Sequence, residues 1–128
     1  MGRPPLTDYI HHGYSWPVAD TDPLGPAAVY ILVALGPSER HGYSIMREVE
    51  RLSGGHARLA PGTLYTNIKR LLSAGLIEEA DERPDPEFDD ARRRYYRLTE
   101  RGRRAVAAEV DRLEALVAQA RPWLGRTS

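Results

Sequence analysis

A mainly α-helical fold with a small β wing, a winged helix-turn-helix followed by a long C-terminal dimerisation helix, is what three stretches of this sequence predict. Pro61 to Glu79 (PGTLYTNIKRLLSAGLIEE) reads as a helix running into a strand, and Arg92 to Gly102 (RRRYYRLTERG) as a strand running into a helix, with a polar loop between. The third stretch is an apolar row, Val106, Val110, Leu113, Val117, Ala120 and Leu124, whose 4-3-4-3-4 steps form a heptad seam. With 128 residues, 41% of them hydrophobic, the chain can build one compact core and is too short for two.

Residues 1–22 are rich in Pro, Gly, His and aromatic side chains without any period, and read as an irregular arm. Pro23 or Pro26 opens a first helix over about 24–35, where Val29, Ile31, Leu32 and Leu35 leave hardly a polar face, so it is deeply buried. Gly36 and Pro37 end it. A second helix over about 41–52 turns Ile45, Val49 and Leu52 inward with Met46 beside them, and stops at Gly54 and Gly55. In the third, Leu64, Ile68, Leu71 and Leu72 fall at i, i+4, i+7 and i+8, one stripe of a 3.6-residue period. Pro61 suits its first turn, where a missing N–H loses no bond, and Gly75 suits the left-handed position just past its end.

Leu76 and Ile77 begin a short strand that returns as Tyr95, Tyr96, Arg97 and Leu98, aromatic as a half-buried pleated surface favours. Thr99 caps the last helix, expected over 99–121. A second row of Ala105, Leu116 and Trp123 widens its apolar stripe beyond what a three-helix core covers, and the surplus points to dimerisation. Pro122 is expected to end or kink this helix, because the residue before a proline is pushed from the helical region. The organisation expected is therefore an arm (1–22), a winged helix-turn-helix domain (23–98), a dimerisation helix (99–121) and a tail (122–128).

Eighteen basic and eighteen acidic residues cancel, a poor omen for binding nucleic acid, yet the average hides a pattern. Residues 40–76 carry six basic side chains against two acidic ones, 77–91 one against eight, and 92–104 seven against one. The basic blocks coincide with the third helix and the returning strand. The absence of cysteine excludes disulfides and thiolate metal sites and fits a reducing compartment. No apolar run nears the roughly 18 residues that span a bilayer, and the first residues lack the apolar core of a secretion signal, so a cytoplasmic protein is expected. Gly-rich phosphate loops, cysteine nucleophiles and paired His and carboxylate spacings are missing, which argues against an enzyme and against a cofactor. His11, His12, His41 and His56 read as surface or packing residues, and the acidic loop lacks calcium-ligand spacing, so no metal site is expected.

HGYSIMREVERLSGG, PGTLYTNIKRLLSAGLIEE and RRRYYRLTERGRRA, in this order, resemble the PadR-type transcriptional regulators over roughly residues 24–121. The single long helix after the wing is similar to the short subgroup of that family, which dimerises through it. The resemblance implies a homodimeric, ligand-responsive repressor on a pseudo-palindromic operator in double-stranded DNA, with the third helix in the major groove. The polar positions outside the apolar stripe permit this. Thr63 and Tyr65 hydroxyls can bond phosphate, Asn67 can pair with adenine, and Lys69 or Arg70 can reach guanine or phosphate, with Thr66 among them. Tyr43 of the HGY motif packs its ring and offers its hydroxyl to backbone or DNA. The dimer interface implied runs through Val106, Val110, Leu113, Leu116, Val117, Ala120 and Trp123, with room between subunits for a small-molecule effector.

The chain departs from the family pattern at three points. Thr66 stands where the family usually has Pro after Leu-Tyr. The wing loop Asp81 to Asp90 (DERPDPEFDD) is acidic, so its tip is expected to point away from phosphate and leave Arg92, Arg93 and Arg94 at its base to make the contacts. Leu113 occupies the middle of the last helix, where some short members place a ligand-stacking Trp, while Trp123 lies near its end and Trp16 in the arm. The alternative function is a winged-helix module that binds only protein, with the acidic wing as its docking element.

Overall fold

The computed structural model describes residues 24–81, 83–84 and 92–125, so the arm with Trp16, His11 and His12, most of the acidic loop, and the last three residues lie outside the described residues. The elements in chain order are α1 (Pro26–Leu35), β1 (Arg40–His41), α2 (Gly42–Leu52), α3 (Pro61–Ser73), β2 (Ile77–Glu79), β3 (Arg83–Pro84), β4 (Arg92–Arg93), β5 (Tyr95–Leu98) and α4 (Glu100–Leu124). The first sheet has the order β1-β5-β2 and is antiparallel throughout, while β3 and β4 pair further out along the wing. This is a winged helix-turn-helix with one long helix behind it.

Side chains from every helix meet in one core: Ile31, Leu32 and Leu35 of α1, Ile45 and Val49 of α2, Leu64, Ile68 and Leu71 of α3, and Ala105 of α4, closed by Leu76, Ile77 and Tyr96. The α3 stripe is thus spent inward. Past its end, Gly75 takes φ 76°, and the Gly75 and Leu76 N–H groups donate to the Leu72 and Leu71 carbonyls at 3.0 Å each. This is the Schellman closure, which only a residue free of Cβ strain enters cheaply. It turns the chain straight from the third helix into the wing.

Thr99 then ties the wing to α4. Its hydroxyl accepts the Gly102 N–H at 3.0 Å as an N-cap and donates to the Gly75 carbonyl at 2.6 Å, while its own N–H donates to the Leu76 carbonyl at 3.1 Å. Here the two backbones nearly touch.

Three expectations are corrected. A two-residue strand, β1, pairs Arg40 and His41 with Tyr96 and Tyr95, where the second helix was expected to begin. Ala105 and Val106 belong to the monomer's own core, Ala105 at 1% exposure and Val106 packed against the cluster, so the surplus apolar row starts at Val110. Finally, α4 runs through Pro122 to Leu124 and stops at Gly125, φ 77°. A proline in the last turn forfeits one hydrogen bond to the carbonyl four residues back, and the strong helix formers before it carry the helix on.

Glu109 is a buried charge, at 8% exposure. Its carboxylate accepts the Leu24 N–H at 3.2 Å and the Arg112 guanidinium at 2.6 Å, joining α4 to the entry of α1. The Arg112 bond, aided by the Leu24 N–H, outweighs burial and holds this carboxyl below its ordinary value of 4.5. A depressed native value means stability that is present above the ordinary carboxylate range and lost as pH falls through the native value. Glu109→Ala is therefore expected to cost about 1–3 kcal/mol at neutral pH, because two donors lose their acceptor. The gap to the parent protein should shrink in urea titrations run well below pH 4.5; a constant gap across that range would refute the assignment.

Candidate nucleic-acid interface

With Leu64, Ile68 and Leu71 buried, α3 turns Thr63, Tyr65, Thr66, Lys69 and Arg70 to solvent. Tyr65 is half exposed, at 51%. Asn67 differs from its neighbours: partly buried, it donates its side-chain amide to the Thr63 carbonyl at 2.9 Å, one turn back. That back-bond commits one of the two amide hydrogens to the helix's own backbone.

The HGY motif occupies the start of α2, directly beside this face, and each of its residues has a separate task. The His41 imidazole accepts the Ser44 N–H at 3.1 Å through Nδ1, capping α2. The same ring meets Tyr95 edge-on, with centroids 5.3 Å apart, as their register in β1 and β5 requires. Tyr43 lies parallel to His41 at 6.5 Å and carries the Arg47 guanidinium 5.6 Å from its ring centre, which leaves it 43% exposed. Gly42 lies under Tyr65: a Cβ built there would overlap the Tyr65 hydroxyl and come within 3.0 Å of its Cζ. The His41 cap and the Tyr43–Arg47 contact are local, but the His41–Tyr95 and Gly42–Tyr65 contacts join different elements, and spacing along the sequence could not reveal them.

Tyr96 extends the cluster toward the wing. Burial pushes its phenol above the ordinary value of 10.0, with Glu79 and Tyr65 adding to the effect and Arg94 opposing it. It therefore stays protonated near neutral pH. Arg40, another residue the sequence did not mark, donates Nε to the Ala34 carbonyl at 2.8 Å and Nη1 to the Ser44 hydroxyl at 3.1 Å. It fixes the end of α1 to the α2 turn that carries the HGY motif.

At the wing, the sheet register sets cross-strand charges against each other. Glu78 lies opposite Arg97 and accepts its Nε at 2.7 Å, while the Arg97 Nη1 reaches Glu39 at 3.2 Å. These two carboxylates, Glu78 first, raise the Arg97 guanidinium above its ordinary value. Arg94 meets Glu79 at 3.4 Å. Arg94 of the wing base thus has its acidic partner on β2. Arg93 is partly buried, and the side chain of Arg92 lies outside the described residues, as does the acidic tip. The structure brings Tyr43, Thr63, Tyr65, Thr66, Lys69 and Arg70 to one surface and places Arg93 and Arg94 on the adjoining wing.

Beyond Glu109, α4 leaves the core. Val110, Leu113, Val117, Leu116, Trp123 and Leu124 are between 40% and 74% exposed, on one apolar face that includes a shallow groove at Val110, Leu113 and Val117. Among the described residues, no group of three or more metal-ligating side chains gathers, and no helix is long and apolar enough to cross a membrane.

Residues 31–108, from the middle of α1 to the first turns of α4, match the transcriptional regulator PadR-like family. The chain belongs to that family. A PadR family transcription regulator from Clostridium difficile superposes with a TM-score of 0.66 at 24% identity, over 79% of this chain and all of that one. A PadR-like regulator from Bacillus cereus gives 0.65 at 17% identity, over 78% and 92%. A complex structure of hsRosR is 32% identical over 78% of this chain and 76% of that one, with a TM-score of 0.57. An uncharacterised 37.1 kDa protein of transposon TN4556 in Streptomyces fradiae is 32% identical over 90 residues. The chain spans about a quarter of the length of that curated relative. This PadR-like chain thus combines the family's head with a protruding apolar helix.

Proposed function

We propose that this PadR-family regulator is a homodimeric, ligand-responsive repressor that inserts α3 into the major groove of a pseudo-palindromic operator. The observation that carries the proposal is the division of α3 into a fully buried apolar stripe and a solvent face bearing Thr63, Tyr65, Thr66, Lys69 and Arg70. Tyr65, Thr66 and Lys69 make the principal contacts, Tyr43, Thr63, Asn67 and Arg70 support them, and Arg92, Arg93 and Arg94 reach phosphates from the wing base. Phosphate would compete with Glu79 for Arg94, so the acidic partners temper affinity and soften its dependence on salt. The dimer forms along Val110, Leu113, Leu116, Val117, Ala120 and Trp123. An effector seated on this face would alter the spacing of the two heads, and half-sites one helical turn apart tolerate little change.

Mobility-shift titrations over a range of salt concentrations test the proposal. Log affinity should fall steeply with log salt on a sequence selected from a random pool, and a slope near zero without sequence preference would favour a protein-only docking role. Lys69→Ala should weaken operator binding roughly tenfold and flatten the salt slope by about one. Unchanged affinity would remove Lys69 from the interface.

A further inference from the structure

We infer that Gly42 is a positioning residue for operator recognition: the missing side chain at the first residue of α2 is the seat that holds the Tyr65 phenol of α3 in its binding pose. This rests on the placement of α3 in DNA proposed above and adds to it a residue that does not itself meet DNA.

Gly42 is buried and starts α2 at negative φ, so no left-handed backbone demands glycine there. Space demands it. A Cβ would overlap the Tyr65 hydroxyl and crowd Cζ at 3.0 Å and Cε1 at 3.3 Å. The three nearest atoms all belong to the one side chain, whereas at Gly102 the nearest atom is backbone. At Gly25, Gly54, Gly55, Gly62 and Gly125 a Cβ would meet open space. Tyr65 is half exposed, so its ring has room to swing outward when displaced. To regain ordinary contact distance the hydroxyl must retreat by roughly 1 Å. An O–H···O bond tolerates only a few tenths of an ångström around 2.7 Å, so a phosphate or base contact made from this pose is lost.

Gly42→Ala, Tyr65→Phe and their double variant test this. Gly42→Ala should leave the melting temperature within a few degrees of the parent and weaken operator binding roughly tenfold. Tyr65→Phe should weaken it comparably, because either change removes the same hydroxyl contact. The double variant should bind about as well as Tyr65→Phe alone, since Gly42 acts through that hydroxyl. Free of DNA, nuclear Overhauser contacts between the Gly42 α-protons and the Tyr65 ring should be present in the parent and weakened in Gly42→Ala. Multiplying penalties in the double variant, or a Gly42→Ala variant that binds like the parent, would overturn the inference. So would absent ring contacts in the parent. A parent protein that keeps those contacts yet shows no sequence-dependent DNA binding would instead sink the DNA placement of α3, and this inference with it.

Discussion

Replacing Gly102 with alanine is expected to destabilise the protein by about 2–3 kcal/mol, although the position is helical and alanine is the better helix former. Propensity alone predicts a gain of roughly 1 kcal/mol. The sign reverses because the new Cβ would overlap the Leu76 carbonyl oxygen and press on its carbon at 3.0 Å and on Leu98 Cδ1 at 2.8 Å. The carbonyl cannot yield freely. It accepts the Thr99 N–H, and the Leu76 N–H is itself committed to the Leu71 carbonyl in the α3 closure. Relief must come from shifting α4 away from the wing junction, which loosens Ala105 from the core. Thermal unfolding should show a midpoint lower by about 10 °C, on the scale of 4–8 °C per kcal/mol for small domains. Gly62→Ala is the control: it lies in α3 with open space around its Cβ and should be neutral or slightly stabilising. A Gly102→Ala protein at least as stable as the parent would refute the close approach.

Leu113→Glu is the second large effect expected, on assembly instead of folding. Leu113 is 43% exposed in the middle of the face that α4 presents beyond Glu109, with Val110 and Val117 one turn to either side. A charge on each subunit at a shared apolar seam would be buried without a partner, a penalty that dissociation avoids. If the proposed dimer forms, sedimentation should show the parent as a dimer and the variant as a monomer. Operator affinity should fall roughly a hundredfold or more, because two heads no longer bind as one unit. The melting temperature should respond less, since the buried core ends at Glu109. A variant that remains dimeric, or binds the operator within threefold of the parent, would place the interface elsewhere.

Much of this architecture was legible because long periodic segments declare themselves. The stripe Leu64, Ile68, Leu71, Leu72 marked α3, and Gly75 marked its end; both follow from local geometry. β1 carried no such signal, since two residues have no period and pair only once β5 is folded against them. Pro122 misled because a local rule about proline was applied at a helix end, where its penalty is smallest. The polar face of α3 could be enumerated from the same period that marks its buried face. What could not be enumerated was the condition of each side chain: Asn67 folded back on Thr63, Arg94 matched to Glu79, Tyr65 seated on Gly42. Glu109 offered no signal at all, for a single Glu in a charged helix is ordinary until Leu24 and Arg112 close around it.

The sequence by itself determined the helices, the wing, their order and the block pattern of charge, because periodicity, caps and composition act over a few residues. It also determined the family, through three motifs in a set order. The tertiary structure decided which apolar residues on α4 the monomer consumes, at Ala105 and Val106, and which it leaves uncovered from Val110 onward. It decided as well why two glycines far apart in the chain matter, Gly42 for a phenol and Gly102 for a carbonyl. The physical reason is the same in each case: excluded volume and hydrogen-bond partnership are properties of pairs, and distant pairs exist only after the chain has folded.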